Sequence, residues 1–249
     1  MHGTSYSAWM LGAVALSAVY WYRAGRKDAR LPWIFLGGLI GAFVGAKVVY
    51  LLAEGWRDLN LPGTWQRWAT GKTILGGLLG GYGGVEWAKK ALRYREPTGD
   101  RFAIVVPIGI FLGRLGCLSH GCCLGQPCSA TAWYAWTDPA GVGRWPIVPA
   151  ELAFHASSAL VALGLAPTRV ARGQRFHGYL IAYGIFRFVT EFRRDTATWA
   201  GVWTGYHAAA LALIGLGIWR GIVRSRSSDA SDATGSESVP TASTESERR

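Results

Sequence analysis

The chain has 249 residues, of which 50% are hydrophobic and only 16% are charged, and its net charge is +11. A soluble domain usually has about 25% charged residues, so this composition argues against a soluble globular protein. The positive charge could suit a nucleic-acid binder, but the Lys and Arg residues stand in short clusters between apolar stretches. The sequence therefore predicts a membrane protein with no nucleic-acid partner.

Seven apolar stretches follow one another along the chain: residues 5–22, 32–53, 72–88, 102–119, 149–167, 178–192 and 202–219. The first, second and last are clear on length alone, since a membrane span needs about 20 residues. The middle four are shorter or carry charges, which a helical bundle can shelter from lipid. We therefore predict an all-α, polytopic helical bundle that lies in the lipid bilayer and has about seven transmembrane helices.

Clusters of cations follow every second stretch. They are Arg23, Arg26, Lys27 and Arg30; Lys89, Lys90, Arg93, Arg95 and Arg101; Arg169, Arg172 and Arg175; and Arg220, Arg224 and Arg226. The intervening loops hold few cations. Because cytoplasmic loops are enriched in Lys and Arg, we expect the N-terminus outside and the C-terminus in the cytoplasm.

The composition changes after Arg226, where Ser, Thr, Glu and Asp dominate. A segment of this kind has too few apolar residues to form a packed core. We predict one transmembrane domain over residues 1–222 and a disordered cytoplasmic tail over residues 223–249.

Arg114 stands at the end of the fourth stretch, after an almost uncharged run of residues. A guanidinium at that depth needs an anion or a wet cavity. A lipid phosphate is one such anion, because arginine binds phosphate through two parallel hydrogen bonds. The alternative is an interfacial anchor whose charged end reaches the water.

A ladder of charges closes the sixth stretch. Arg187 and Glu191 are four residues apart and share one helix face, and Arg194 follows three residues later. This ladder can be a structural network of ion pairs. It can equally present a cation to a substrate while the carboxylate orients that cation.

The third stretch is rich in glycine between Gly76 and Gly84. Each glycine destabilises a helix by about 1 kcal/mol relative to alanine, so a run of them needs a reason. Close packing of helices is one reason, and close approach to a lipid headgroup is the other. Elsewhere, His155 and His207 are each interpreted as buried bundle histidines.

All four cysteines lie between Cys117 and Cys128, in a C-x4-C-C-x4-C pattern. This spacing fits the usual zinc motifs poorly, so no metal site is predicted. In an oxidising exterior, Cys117 or Cys128 could form a disulfide with Cys122 or Cys123.

Taken together and in this order, these stretches resemble the prolipoprotein diacylglyceryl transferase family of bacteria, whose enzymes have seven spans. The family signature opens Gly-Arg-x-Gly-Asn and closes on a glycine, and it is matched here by Gly113, Arg114, Gly116 and Gly125. A late family motif, Arg-Phe-x-x-Glu-Phe-x-Arg, is matched by Arg187, Phe188, Glu191, Phe192 and, one position later, Arg194. Three further motifs are matched in part by Gly45, Ala46, Lys47 and Tyr50; by Pro149, Glu151 and Leu152; and by Leu75, Gly76, Gly77, Leu78 and Gly80.

The chain also departs from the family pattern. Cys117 and His120 stand at positions where the family has asparagine, and Cys122 stands where it has an acidic residue. Leu75 replaces the family histidine and cannot transfer a proton. The resemblance is therefore to a divergent, cysteine-rich branch of the family.

The resemblance implies an enzyme of lipoprotein biosynthesis in the bacterial inner membrane. It would move a diacylglyceryl group from phosphatidylglycerol to the lipobox cysteine of a prolipoprotein, without a cofactor. The implied catalytic residues are Arg114, Arg187, Glu191 and His120, the last two as candidate bases. The implied residues for phosphatidylglycerol binding are Arg114, Gly76, Gly77, Gly116 and Gly125.

A second hypothesis is a membrane paralogue that does not catalyse this transfer. It would keep the fold and use its external cysteine cluster for redox chemistry or metal binding. Leu75 and Cys117 favour this hypothesis, because they replace the family's histidine and asparagine.

Overall fold

The computed structural model describes residues 2–236 and, among these, the side chains of residues 7–226. Eight α-helices make up most of it: α1 (His2–Gly25), α2 (Leu31–Ala53), α3 (Thr64–Thr70), α4 (Ile74–Ala91), α5 (Gly99–His120), α6 (Ile147–Leu165), α7 (Arg175–Glu191) and α8 (Gly205–Ser236). A 3-10 turn (Gly55–Asp58) precedes α3, and a small hairpin of β1 (Trp136–Thr137) and β2 (Gly143–Arg144) lies between α5 and α6.

Four of these helices are long and apolar enough to cross a membrane: α2, α5, α6 and α8 over Gly205–Arg226. Large apolar side chains such as Phe43, Leu52 and Ile40 are exposed on the outside of the bundle. An exposed apolar surface of this kind is typical of helices that face lipid. The all-α membrane class predicted from the sequence is confirmed.

The helices pack in neighbouring pairs, with α2 against α4, α7 against α8, and α5 against both α1 and α6. The α2–α4 pair is unusually close, because glycines face each other across it. A Cβ atom built on Gly45 would lie 2.7 Å from the Cα of Gly80, and one on Gly41 would lie 2.9 Å from the Cα of Gly84. Gly76, Gly80 and Gly84 of the third stretch therefore serve helix packing.

Aromatic side chains fill the core between the pairs. Trp21 of α1 is buried against Phe35 and Phe102, with ring centroids 5.7 and 4.7 Å away. Along α7, Phe176, Tyr179 and Tyr183 form a stacked row. This row lines the interior of the bundle, next to the charged residues of α7.

Helix α8 continues past residue 222, where the sequence predicted the start of a disordered tail. A helix already formed by the apolar residues of α8 adds further residues easily, since propagation is far more favourable than nucleation. The remainder of the predicted tail, residues 237–249, lies outside the described residues.

Candidate functional site

Three buried arginines converge with two buried glutamates inside the bundle. Arg114 comes from the last turns of α5, Glu151 from α6, Arg187 and Glu191 from α7, and Arg194 follows α7 directly. All five residues are at most 7% exposed. We call this group the arginine cluster.

Glu151 lies at the centre of the arginine cluster. Its Oε2 atom is 2.6 Å from Nη2 of Arg114 and 2.6 Å from Nη2 of Arg194. Its Oε1 atom accepts a hydrogen bond from the hydroxyl of Tyr183 at 3.1 Å and lies 3.8 Å from Nη1 of Arg187. One carboxylate therefore contacts all three guanidinium groups.

Glu191 holds the other side of the arginine cluster. Because it is four residues after Arg187 on one helix, its Oε2 atom lies 2.9 Å from Nη2 of Arg187. Its Oε1 atom accepts hydrogen bonds from the hydroxyls of Thr196 at 2.8 Å and Thr204 at 3.2 Å. These contacts orient Arg187 in the bundle.

The two carboxylates do not satisfy the three guanidinium groups. Nε of Arg114, Nε and Nη1 of Arg187, and Nε of Arg194 are buried and have no hydrogen-bond partner among the described residues. With three cations and two carboxylates, the arginine cluster also has a formal charge of +1. Buried polar groups are nearly always hydrogen-bonded, so these donors favour an anion as the missing partner.

The predicted catalytic residues come together only in part. Arg114, Arg187 and Glu191 all belong to the arginine cluster. His120 lies at the exposed C-terminal end of α5, whose chain reverses at Gly121. Leu75, at the position of the family histidine, is fully buried in the hydrophobic core.

The four predicted substrate-binding glycines lie in different places. Gly76 packs against α2, where an added Cβ would lie 2.7 Å from Cβ of Val49. Gly77 lines a cavity of about 490 Å³ formed mainly by α2, α4, α5 and α7. Gly116 is buried on α5, close in sequence to Arg114, and Gly125 lies against Trp145, where a Cβ would come within 2.9 Å of the tryptophan Cβ.

The loop after α5 is joined to the segment after α7. Gly125 pairs with Arg194 in an isolated bridge, and the amide of Gln126 donates to the carbonyl of Arg193 at 2.8 Å. These backbone contacts bring the cysteine-rich loop next to the arginine cluster. All four cysteines are free thiols in this structure, so the disulfide stays a prediction.

The hairpin that covers this loop is held mainly by a short ion pair between Arg144 and Asp138. Nε of Arg144 donates to Oδ2 of Asp138 at 2.6 Å, and Oδ1 of Asp138 accepts from the amides of Ala140 and Val142. The hydrogen bond from Arg144, together with those from the backbone, holds the pKa of Asp138 below its usual value. Asp138 is therefore a structural carboxylate of the loop.

Two members of the arginine cluster were not predicted as catalytic or substrate-binding residues. Glu151 appeared only in a partial match to a family motif, and Arg194 appeared in the charge ladder and in the late family motif without a predicted role. The signal that could have found Glu151 is its position in an apolar stretch, because a carboxylate there requires a buried cation.

Comparison with known protein sequences identifies the family of this chain. A sequence model of the prolipoprotein diacylglyceryl transferases matches residues 2–223. The chain is similar to proteins named phosphatidylglycerol–prolipoprotein diacylglyceryl transferase. In Polynucleobacter necessarius the identity is 28% over 216 residues, which cover 85% of this chain and 78% of that protein. In Pseudoalteromonas atlantica the identity is 31% over 212 residues, which cover 80% of this chain and 71% of that protein. The chain therefore belongs to the prolipoprotein diacylglyceryl transferase family.

Proposed function

We propose that this protein is a multi-pass membrane transferase of lipoprotein biosynthesis. It moves a diacylglyceryl group from phosphatidylglycerol to the thiol of a lipobox cysteine in a prolipoprotein. The family match over residues 2–223 and the names of the relatives support this activity. The structural observation that carries it is the arginine cluster, with buried guanidinium donors that lack acceptors.

A lipid phosphate fits these donors in charge and in hydrogen-bonding capacity. The arginine cluster has one cation in excess, and an anionic phosphodiester would neutralise it. A phosphate also offers several acceptor oxygens, which can pair with Arg114 and Arg187 bidentately. We therefore place the phosphate of phosphatidylglycerol against these two residues.

The reaction is a displacement at a carbon atom of the glycerol backbone. The thiolate sulfur attacks that carbon, a new carbon–sulfur bond forms, and the carbon–oxygen bond to the phosphate breaks. The bonding electrons leave with glycerol phosphate, whose developing charge Arg114 and Arg187 stabilise. Catalysis by this group is electrostatic, because the guanidinium cations are already oriented before the charge develops.

A base must accept the thiol proton, and His120 is the better of the two candidates. The carboxylate of Glu191 is already engaged by Arg187 and by two threonine hydroxyls. His120 lies exposed where α5 ends, three residues after Cys117. A thiol with a pKa of about 8.5 needs only modest assistance at neutral pH.

The proposed topology has seven spans, formed by α1, α2 and α4 to α8. Each of the seven apolar stretches in the sequence overlaps one of these helices, and the loops between them alternate in their content of cations. We propose that the N-terminus is external, the C-terminus is cytoplasmic, and the protein lies in the bacterial inner membrane. The arginine cluster then lies near the external face, where lipoprotein precursors emerge.

The test is transfer of labelled diacylglyceryl from phosphatidylglycerol to a lipobox peptide in membranes that contain the protein. Wild type should transfer label, and Arg114→Ala should lose at least about 100-fold in rate, as expected for a lost electrostatic contact in the transition state. Arg114→Lys should recover little, because an ammonium cannot make the bidentate contact.

Two neighbouring arginines provide a matched control. Arg194→Ala removes a buried member of the arginine cluster, whereas Arg193→Ala removes an exposed side chain that stacks on Trp145. Transfer should fall strongly in the first variant and stay close to wild type in the second. Absence of transfer by the wild type, or full transfer by Arg114→Ala, would overturn the proposal.

A further inference from the structure

Three of the four cysteines converge at the end of α5. The Sγ atoms of Cys117, Cys122 and Cys123 all lie within 4.8 Å of one another, and those of Cys117 and Cys123 are 3.9 Å apart. Cys117 belongs to the last turn of α5, whereas the other two follow its C-terminal cap. We call these three residues the thiol cluster.

Two residues in the left-handed backbone conformation bring the thiol cluster together. Gly121 caps α5 with φ of +69°, and Cys123 adopts φ of +62°, which is unusual for a residue with a side chain. The amide of Cys122 donates to the carbonyl of Cys117 at 3.2 Å and closes the turn. Strained non-glycine residues of this kind are concentrated at functional sites.

A buried cation lies beside the thiol cluster. Nη1 of Arg114 lies 3.7 Å from Sγ of Cys117, and the guanidinium is buried. Sulfur binds metals as thiolate, and a guanidinium at this position would offset part of the negative charge of three metal-bound thiolates. Arg114 therefore contacts two groups: its Nη1 atom contacts the thiol cluster, and its Nη2 atom contacts Glu151.

The thiol cluster is also accessible to a small ion. A cavity of about 230 Å³ is lined by all three cysteines and by the hairpin residues Asp138 and Arg144. Cys123 itself is exposed, whereas Cys117 is buried. An ion can thus reach the sulfur atoms, and a water molecule from the cavity can complete its coordination.

We propose that Cys117, Cys122 and Cys123 form a binding site for a thiophilic d10 metal ion, Zn²⁺ or Cu⁺. Three sulfur atoms bound tetrahedrally to zinc at about 2.3 Å lie about 3.8 Å apart, close to the spacing of Cys117 and Cys123. Zn²⁺ would take a fourth ligand from the cavity, and Cu⁺ would be held by the three sulfurs alone. Binding is ligand exchange without a redox step: three S–H bonds break, three metal–sulfur bonds form, and the protons pass to solvent.

This site goes beyond the transfer reaction, and its test does not use transfer activity. The full-length protein is purified with reductant, stripped with a chelator and titrated with Zn²⁺, with Cu⁺ and, as a hard control ion, with Mg²⁺. One Zn²⁺ or one Cu⁺ should bind per chain, and Mg²⁺ should not compete. The ion that binds more tightly in competition with a calibrated chelator identifies the metal.

Co²⁺ serves as a spectroscopic probe of the ligands, because thiolate ligation gives intense charge-transfer absorption in the near ultraviolet. Cys123→Ser and Cys122→Ser should each weaken binding by at least 10-fold and reduce this absorption. Cys128→Ser is the matched control, since Cys128 lies outside the thiol cluster, and it should bind like wild type.

Other results would overturn the proposal. One is that neither Zn²⁺ nor Cu⁺ binds stoichiometrically, although a thiol reagent shows that all four cysteines are reduced and accessible. Another is equal loss of binding in Cys128→Ser. A disulfide between Cys117 and Cys123 in protein isolated from its native membrane, without added reductant, would also overturn it, because those sulfurs could not then bind metal.

Discussion

Glu151 is the central residue of the arginine cluster. It is fully buried, and its carboxylate lies between Arg114 of one helix and Arg194 of the segment after another. This residue places a buried negative charge against the proposed phosphate site. The carboxylate stabilises two buried guanidinium groups that would otherwise repel each other.

The first prediction concerns Glu151→Gln. Removal of one buried charge from an ion-pair network destabilises a protein by up to about 3–5 kcal/mol, because the remaining cations lose their partner. We expect the variant to have a lower melting temperature than wild type in uncharged detergent. Adding phosphatidylglycerol should raise the melting temperature of the variant more than that of wild type, since bound anions stabilise the folded state.

The control for this variant is Glu86→Gln. Glu86 also pairs with an arginine, Arg220, but both side chains are about one-third exposed. Its loss should change the melting temperature less than Glu151→Gln does, because this pair is partly exposed near the end of α4 whereas Glu151 is fully buried. A Glu151→Gln protein that melts like wild type with and without the anionic lipid would contradict the prediction.

At this scale the sequence pointed to residues of the arginine cluster where charge alone was informative. Arg114 and Arg187 were selected because guanidinium groups in apolar stretches need partners, and both belong to the arginine cluster. The central role of Glu151 could not be predicted, because it depends on three helices meeting at one point. The convergence of Cys117, Cys122 and Cys123 was not predicted, because it comes from two left-handed backbone residues, which the spacing of cysteines does not indicate.

At the scale of elements, the α2–α4 pair depends on glycine at particular positions. A Cβ on Gly80 would lie 2.7 Å from the Cα of Gly45, whereas a Cβ on Gly83 of the same helix would meet nothing within 4 Å. Small residues allow two helix backbones to approach closely in a membrane, where packing replaces the hydrophobic effect as the driving force.

The second prediction compares these two glycines. Gly80→Ala should destabilise the protein by about 1–3 kcal/mol, because backbone atoms cannot move away from the added methyl group. Gly83→Ala should leave stability unchanged or raise it by up to about 1 kcal/mol, since alanine favours helix. Thermal unfolding in one detergent measures both, and equal effects would show that close packing does not depend on Gly80.

The third prediction concerns the hairpin and pH. Because the folded-state pKa of Asp138 is lowered, its contribution to stability is present above the ordinary carboxyl pKa of about 3.9 and is lost as pH falls below it. Protection of residues 121–146 from proteolysis by an acid-active protease should therefore decrease as pH falls through 4 to 3.

In Asp138→Asn this part of the pH dependence should disappear, with lower protection at neutral pH. Asp195→Asn is the control, because Asp195 lies 3.4 Å from Arg144 and is 64% exposed. If wild type and Asp138→Asn lose protection in parallel as pH falls, the ion pair does not hold the hairpin.

The helices themselves were largely predictable, because apolar stretches of sufficient length form helices in a bundle. The predicted apolar stretches at residues 32–53 and 102–119 correspond to α2 (Leu31–Ala53) and α5 (Gly99–His120). The short α3 and the hairpin were not predicted. Their formation depends on contacts distant in sequence, such as the hydrogen bonds from Lys47 to the carbonyls of Ala69 and Gly71.

At the scale of the whole molecule, the distribution of cations sets the proposed orientation. Four helices qualify as spans on length and apolarity, whereas α4 and α7 carry charges that the bundle shelters. Arg220 of α8 and Glu86 of α4 pair with each other, and Arg187 pairs with Glu191. Paired charges of this kind let a short, polar helix cross a membrane within a bundle.

The fourth prediction tests the topology with reporter fusions. Fusions at Gly25, Arg95 and Gly173 should report the cytoplasm, and fusions at Gly63, Ala140 and Ala200 should report the exterior, because cations are retained on the cytoplasmic side. Arg95 and Ala140 flank α5, so the same side for both would show that this helix does not span the membrane.

The position of Glu151 also bears on how the enzyme completes a cycle. In the proposed site, the carboxylate lies 2.6 Å from Arg114 and offsets part of the positive charge that holds a phosphate there. It therefore limits how tightly both the phospholipid donor and the glycerol phosphate product are bound. Because an enzyme must release its product before the next cycle, a weaker hold on the phosphate favours turnover.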